Sequence, residues 1–119
     1  MYYISKRFNF EAAHHLEGLP AEHLCSRDHG HSYVVILHLR GETLNKIGFV
    51  VDYRKLDSFK KFIDESFDHR DLNKVLAFNP TAENLAEYFY HVAILDFSKL
   101  YAVTVKETEK TEARYQPKP

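Results

Sequence analysis

The even positions at the start of the chain are Tyr2, Ile4, Lys6, Phe8, Phe10, Ala12 and His14, and the odd ones include Ser5, Arg7, Asn9, Glu11 and His15. A period of two marks a strand with one buried face, which puts His14 at its end on the face of Phe8 and Phe10. Leu16 to about Gly30, with Gly18, Pro20 and Cys25, reads as a loop. His31 to Arg40, centred on Tyr33-Val34-Val35-Ile36-Leu37, predicts a second strand. Gly41 to Gly48 is then a hairpin-type connection and Phe49-Val50-Val51 a short extended return.

Beyond Asp52 the period changes. Tyr53, Leu56, Phe59, Ile63 and Phe67 recur at steps of three to four, so a helix is predicted from an Asp52 N-cap to about Phe67. Asp68 to Asn73 has no such period and reads as a loop. Pro80 and Thr81 announce a second helix, with Thr81 as its cap and Leu85, Phe89 and Val92 as its apolar stripe. Leu100 to Glu107 alternates again, and Ala113 to Tyr115 completes a terminal hairpin. The order strand, strand, helix, helix, strand, strand predicts an α+β fold in one domain spanning 1–119, with a four-stranded antiparallel sheet and both helices on one face. Alternating apolar residues on the opposite face would call for assembly of subunits to cover it.

The chain has 119 residues, 45% hydrophobic and 28% charged, with 16 basic against 17 acidic residues. Such a balance offers no broad positive field for a polyanion, which argues against nucleic acid as a partner. Lys6 and Arg7 interrupt the first apolar positions, so no signal peptide is expected, and no stretch is long enough to span a bilayer. One cysteine, Cys25, has no internal partner for a disulfide, and cytoplasm is the expected compartment.

Histidine changes the picture. Of eight in the chain, five fall between His14 and His31. In His29-Gly30-His31 two imidazoles point the same way along an extended backbone, and Gly30 leaves the approach to an ion clear of a side chain. His14 supplies a third ligand if its strand lies beside theirs, whereas His15 points to the opposite face. Three histidines with an open fourth position describe a catalytic zinc site. Cys25 has two readings: a fourth ligand, which closes the site and makes the metal structural, or a thiolate base beside an activated substrate, favoured by Arg27. Asp68-His69 is a candidate acid/base pair, since a carboxylate fixes an imidazole's tautomer. Glu107 shares the parity of Tyr101, Val103 and Val105, and a carboxylate facing inward suits a bidentate N–H pair on a ligand.

Six segments taken together resemble a known family. Phe10-Glu11-Ala12-Ala13-His14, Cys25-Ser26-Arg27-Asp28-His29-Gly30-His31, Gly48-Phe49-Val50-Val51-Asp52-Tyr53, Phe67-Asp68-His69-Arg70-Asp71-Leu72-Asn73, Asn79-Pro80-Thr81-Ala82-Glu83-Asn84 and Lys106-Glu107-Thr108 look like the ordered motifs of the 6-pyruvoyltetrahydropterin synthase / 6-carboxytetrahydropterin synthase family. The resemblance implies the tunnelling fold and subunits joined into a barrel, by analogy a homohexamer of two stacked trimers. It implies Zn²⁺ on His14, His29 and His31, Cys25 as the proton-abstracting thiolate, Asp68 and His69 completing the catalytic set, and Glu107 with Thr108 holding the pterin. The implied substrate is 7,8-dihydroneopterin triphosphate.

The compact Cys-x3-His-Gly-His spacing looks like the 6-carboxytetrahydropterin synthases of queuosine biosynthesis, which release acetaldehyde and triphosphate. The 6-pyruvoyl enzymes, which eliminate triphosphate, are the alternative. Asp28 departs from what a site for a triphosphate would favour. A reading from another class is a non-catalytic, metal-stabilised pterin-binding protein that keeps the fold.

Overall fold

A computed structural model describes all 119 residues. Two 13-residue strands, β1 (Tyr2–His14) and β2 (His29–Gly41), pair antiparallel along their whole length, from Tyr2 opposite Gly41 to His14 opposite His29. After β2 come a 3-10 turn (Tyr53–Leu56), α1 (Asp57–Ser66), a two-residue strand β3 (Arg70–Asp71), a single helical turn α2 (Leu72–Val75) and α3 (Ala82–Ala93). The chain closes with β4 (Leu100–Thr108) and β5 (Thr111–Tyr115), and the sheet order is β3-β1-β2-β4-β5.

The α+β class and the helices on one face match the sequence pattern, while several boundaries differ. The sheet has five strands, because Arg70 and Asp71, read from sequence as loop, run parallel beside Ala12 and Ala13. The stretch beginning at Asp52 is divided: the Asp52 carboxylate accepts the Arg54 N–H and caps the 3-10 turn, and α1 begins only at Asp57. Tyr53 consequently faces solvent instead of joining the apolar stripe. Phe49-Val50-Val51 pairs with no strand, so the segment from Gly41 to Gly48 leads to a loop and not to a hairpin return. On α3 the Thr81 hydroxyl accepts the Asn84 N–H as a cap should, and Leu85 and Phe89 are buried, but Ala93 takes the inner place assigned to the half-buried Val92.

One core lies between the inner sheet face and the helices. Phe8, Phe10, Tyr33, Val35, Leu37, Val103 and Val105 meet Phe59 and Ile63 of α1 and Leu85 and Phe89 of α3. Lys6, the polar interruption on the inner face of β1, lies at the margin, where its ammonium donates to Asp57 at 2.9 Å and to the Tyr53 carbonyl at 3.2 Å. The outer face is not the bare apolar surface expected. Ala102 and Thr104 are buried beneath longer side chains: Tyr101 lies under the guanidinium groups of Arg40 and Arg114, and His38 hydrogen-bonds Thr104 at 2.8 Å.

Candidate metal centre and adjoining clefts

The β1–β2 register explains why three distant histidines meet. His14 stands opposite His29, and His31 opposite Ala12, so all three side chains share the inner face at the end of the pair where the strands leave for the connecting loop. Their ligating atoms lie within 4.8 Å of one another, a grouping able to hold a metal ion. His15, one residue on, turns away and stands 3.1 Å from the Asp28 carboxylate.

Backbone carbonyls set two of the tautomers. His14 Nδ1 is 2.9 Å from the Pro80 carbonyl oxygen, and His29 Nδ1 is 2.8 Å from that of Arg27. A carbonyl only accepts, so each Nδ1 carries the hydrogen and each Nε2 keeps its lone pair. Those two Nε2 atoms face each other at 2.9 Å, a separation that two lone pairs tolerate well only with a cation between them. His31 Nε2 is buried without any hydrogen-bond partner. A Glu107 oxygen stands 3.0 Å from it and 3.4 Å from His14 Nε2, close in distance but off the line a hydrogen bond requires.

Desolvation is the leading influence on this group. It lowers the pKa of His14 from 6.5 to about 4 and lowers that of His31, so both favour the neutral imidazole that binds metal. It raises that of Glu107, against the opposing pull of His29 and the Ala82 N–H. An orphaned, buried Nε2 beside two imidazoles whose other nitrogens are already engaged fits a His₃ metal centre.

Asparagine side chains hold the loop that leaves His14. Asn73 accepts the His15 N–H and donates to the His15 carbonyl, and Asn79 does the same for Glu17, so two amides stand in for a missing strand. Asn84 donates in turn to the Asn79 carbonyl, which fixes Pro80 beside His14.

Gly30, His31 and Ser32 form a wall shared by two clefts. One, of about 550 Å³, also includes Glu11, His69 and Asp71; the other, of about 320 Å³, includes Lys106, Glu107 and Thr108. A Cβ on Gly30 would meet only the Ala12 carbonyl, at 3.7 Å. The glycine is therefore not demanded by close backbone approach, and a side chain there would enter cleft space. Asp68 accepts the Glu11 N–H at 2.8 Å and lies 3.0 Å from His69 Nδ1. The Glu11 hydrogen bond, first, and His69 hold its carboxyl below the usual range. His69 has φ 59°, a left-handed conformation uncommon for a side chain with a Cβ, and its imidazole is 79% exposed. Cys25 sits half-buried in a 3-10 turn (Leu24–Ser26), and no hydrogen bond or ion pair joins it to Asp68 or His69. The structure thus brings together His14, His29, His31 and Glu107, places His69 in the same cleft as His31, and joins Cys25 to none of them by a hydrogen bond.

The profile of the family described as 6-pyruvoyl tetrahydropterin synthase matches residues 3–118. The chain belongs to the 6-pyruvoyl tetrahydropterin synthase family. Among family relatives, a 6-carboxy-5,6,7,8-tetrahydropterin synthase of Bacillus subtilis is 32% identical over 128 residues, covering 97% of this chain and 85% of the relative. A dihydroneopterin monophosphate aldolase of Pyrococcus furiosus is 38% identical over 80 residues, covering 67% of this chain and 64% of the relative. The structure of Caenorhabditis elegans 6-pyruvoyl tetrahydropterin synthase superimposes with a TM-score of 0.87 at 32% identity, over 98% of this chain and 96% of that one. Membership makes the chain an enzyme of pterin chemistry, and the relatives it resembles are named for different reactions.

Proposed function

We propose that the chain is a zinc-dependent lyase that converts 7,8-dihydroneopterin triphosphate and one water to 6-carboxytetrahydropterin, acetaldehyde and triphosphate. The observation that carries this reading is the meeting of His14, His29 and His31 with a buried, unpartnered Nε2 at the wall between two clefts. His14, His29 and His31 would hold the zinc, which would supply Lewis-acid polarisation of substrate side-chain oxygens and so acidify the neighbouring C–H bonds.

The chain's own residues do the rest. Glu107, at the rim of the smaller cleft and within 3.4 Å of the imidazoles, accepts a pair of ring N–H bonds and sets the pterin's distance from the centre, with Thr108 beside it. Cys25, as thiolate, takes the proton from carbon. His69, its imidazole oriented by Asp68, exchanges protons with the substrate hydroxyls.

Because no hydrogen bond joins Cys25 to His69 within one chain, we infer that a second copy completes the site. Uncovered strand edges support such an assembly: β3 pairs with β1 only at Ala12 and Ala13 and Glu11 is held by Asp68 and His69, so the edge of β1 from Tyr2 to Phe10 is free, as is the outer edge of β5. A homohexamer of two trimers is the proposed state. No helix is long and apolar enough to cross a membrane, and cytoplasm is the proposed location.

Elimination of triphosphate to the 6-pyruvoyl product is the second reading, favoured by the close superposition on the Caenorhabditis elegans enzyme. Metal analysis of the purified protein, paired with product analysis on dihydroneopterin triphosphate, tests all of this. One zinc per chain with acetaldehyde released is expected. Triphosphate release without acetaldehyde selects the 6-pyruvoyl reaction, and zinc without turnover makes the chain a pterin-binding protein.

A further inference from the structure

Tyr33 has no part in the chemistry above, yet its hydroxyl oxygen lies 2.9 Å from His14 Nδ1, the nitrogen already tied to the Pro80 carbonyl. The side chain is fully buried, and its ring stacks on Phe10 at 4.8 Å and 7°. It also stands edge-on to His14 and to His31, at 5.9 and 5.5 Å.

One acceptor leaves an imidazole free to swing about the N–H···O axis. A second oxygen on the same N–H, carried by a ring that cannot itself move, removes that freedom. Tyr33 lies two residues beyond His31 on the same face of β2, so its hydroxyl links the one ligand on β1 to the strand that carries the other two.

We propose that Tyr33 is a positioning residue that fixes the His14 ring for metal binding. The proposal rests on the zinc reading and adds to it a residue that touches neither metal nor substrate. Outer partners of metal-bound histidine typically contribute about 10- to 100-fold in metal affinity, and a loss of that size is expected here.

The test is zinc affinity, by chelator competition on metal-stripped wild type, Tyr33→Phe and Phe10→Leu. Tyr33→Phe keeps the stacked ring and should bind zinc about 10- to 100-fold more weakly, with the metal-free melting temperature lowered by no more than about 5 °C. Its cobalt-loaded visible spectrum should differ from wild type, since the geometry at one ligand changes. Phe10→Leu loosens the Tyr33 ring but keeps its hydroxyl, so it should lower the melting temperature and weaken zinc binding by less than Tyr33→Phe does. Equal zinc affinity in wild type and Tyr33→Phe overturns the assignment and leaves the metal centre standing. A Tyr33→Phe protein that does not fold without metal overturns it too, because the hydroxyl is then structural. Failure of wild type to bind zinc overturns both readings.

Discussion

His14 and His15 are adjacent and identical in chemistry, yet one is fully buried against two other imidazoles and the other is half-buried on the opposite side beside Asp28. Strand parity alone separates them, which is why the three clustered histidines were legible in the sequence. Burial has a consequence for stability. His14, His31 and His38 all have lowered pKa values, desolvation leading in each, with His14 moved from 6.5 to about 4. In the unfolded chain these groups titrate near 6.5, so below that pH the unfolded state takes up protons that the native state refuses. Stability of the metal-free protein is therefore full above about pH 6.5 and is lost as pH falls toward 4, with His14 contributing on the order of 3 kcal/mol. Urea unfolding of chelator-treated protein at several pH values checks this, and a flat profile would rule it out. Cys25 makes a separate prediction. If it is the base, Cys25→Ala should keep its zinc while kcat falls by about 10² to 10⁴, and loss of zinc would make the cysteine a ligand. Glu107→Gln should act mainly through KM, since an amide keeps the carboxylate's shape but accepts only one of the two ring bonds.

Among the elements, long periodic segments were readable and short ones were not. β1, β2 and α3 each present a face of several apolar residues, so period and burial agree. β3 has two residues and α2 four, too few for any period, and both exist because Ala12, Ala13 and the asparagine-bracketed loop give them partners. The start of α3 carries more than a helix. Its Thr81 cap follows directly on the carbonyl that holds His14, so Thr81→Ala should cost about 1 kcal/mol of stability and also weaken zinc binding. Thermal melts with and without zinc separate the two effects, and an equal shift in both would show that the cap does not reach the metal. At the head of β3, His69 holds a left-handed backbone that glycine adopts freely. His69→Gly should fold at least as stably, gaining up to about 1 kcal/mol, and keep its zinc while losing turnover. A fall in both stability and metal content would contradict the placement of this residue away from the centre.

On the scale of the molecule, the principal extents of 56, 29 and 25 Å reflect the long β1–β2 pair, which carries a free edge along most of β1. The sequence suggested assembly through an apolar sheet face. The structure adds the strand edges to that argument, because Tyr101, Arg40, Arg114 and His38 occupy part of the outer face while Val34 and Ile36 are only half-buried there. Light scattering at micromolar concentration should report an oligomer, and a fully active monomer would sink the shared-site assignment. The anchors of His14 and His29 were invisible in the sequence for a simple reason: they are main-chain carbonyls, which every residue possesses. That anonymity bears on descent. No side-chain replacement at Arg27 or Pro80 deletes the oxygen it supplies, so lineages can rewrite the residues lining the clefts, and with them the reaction, while inheriting the same ring orientations at the centre.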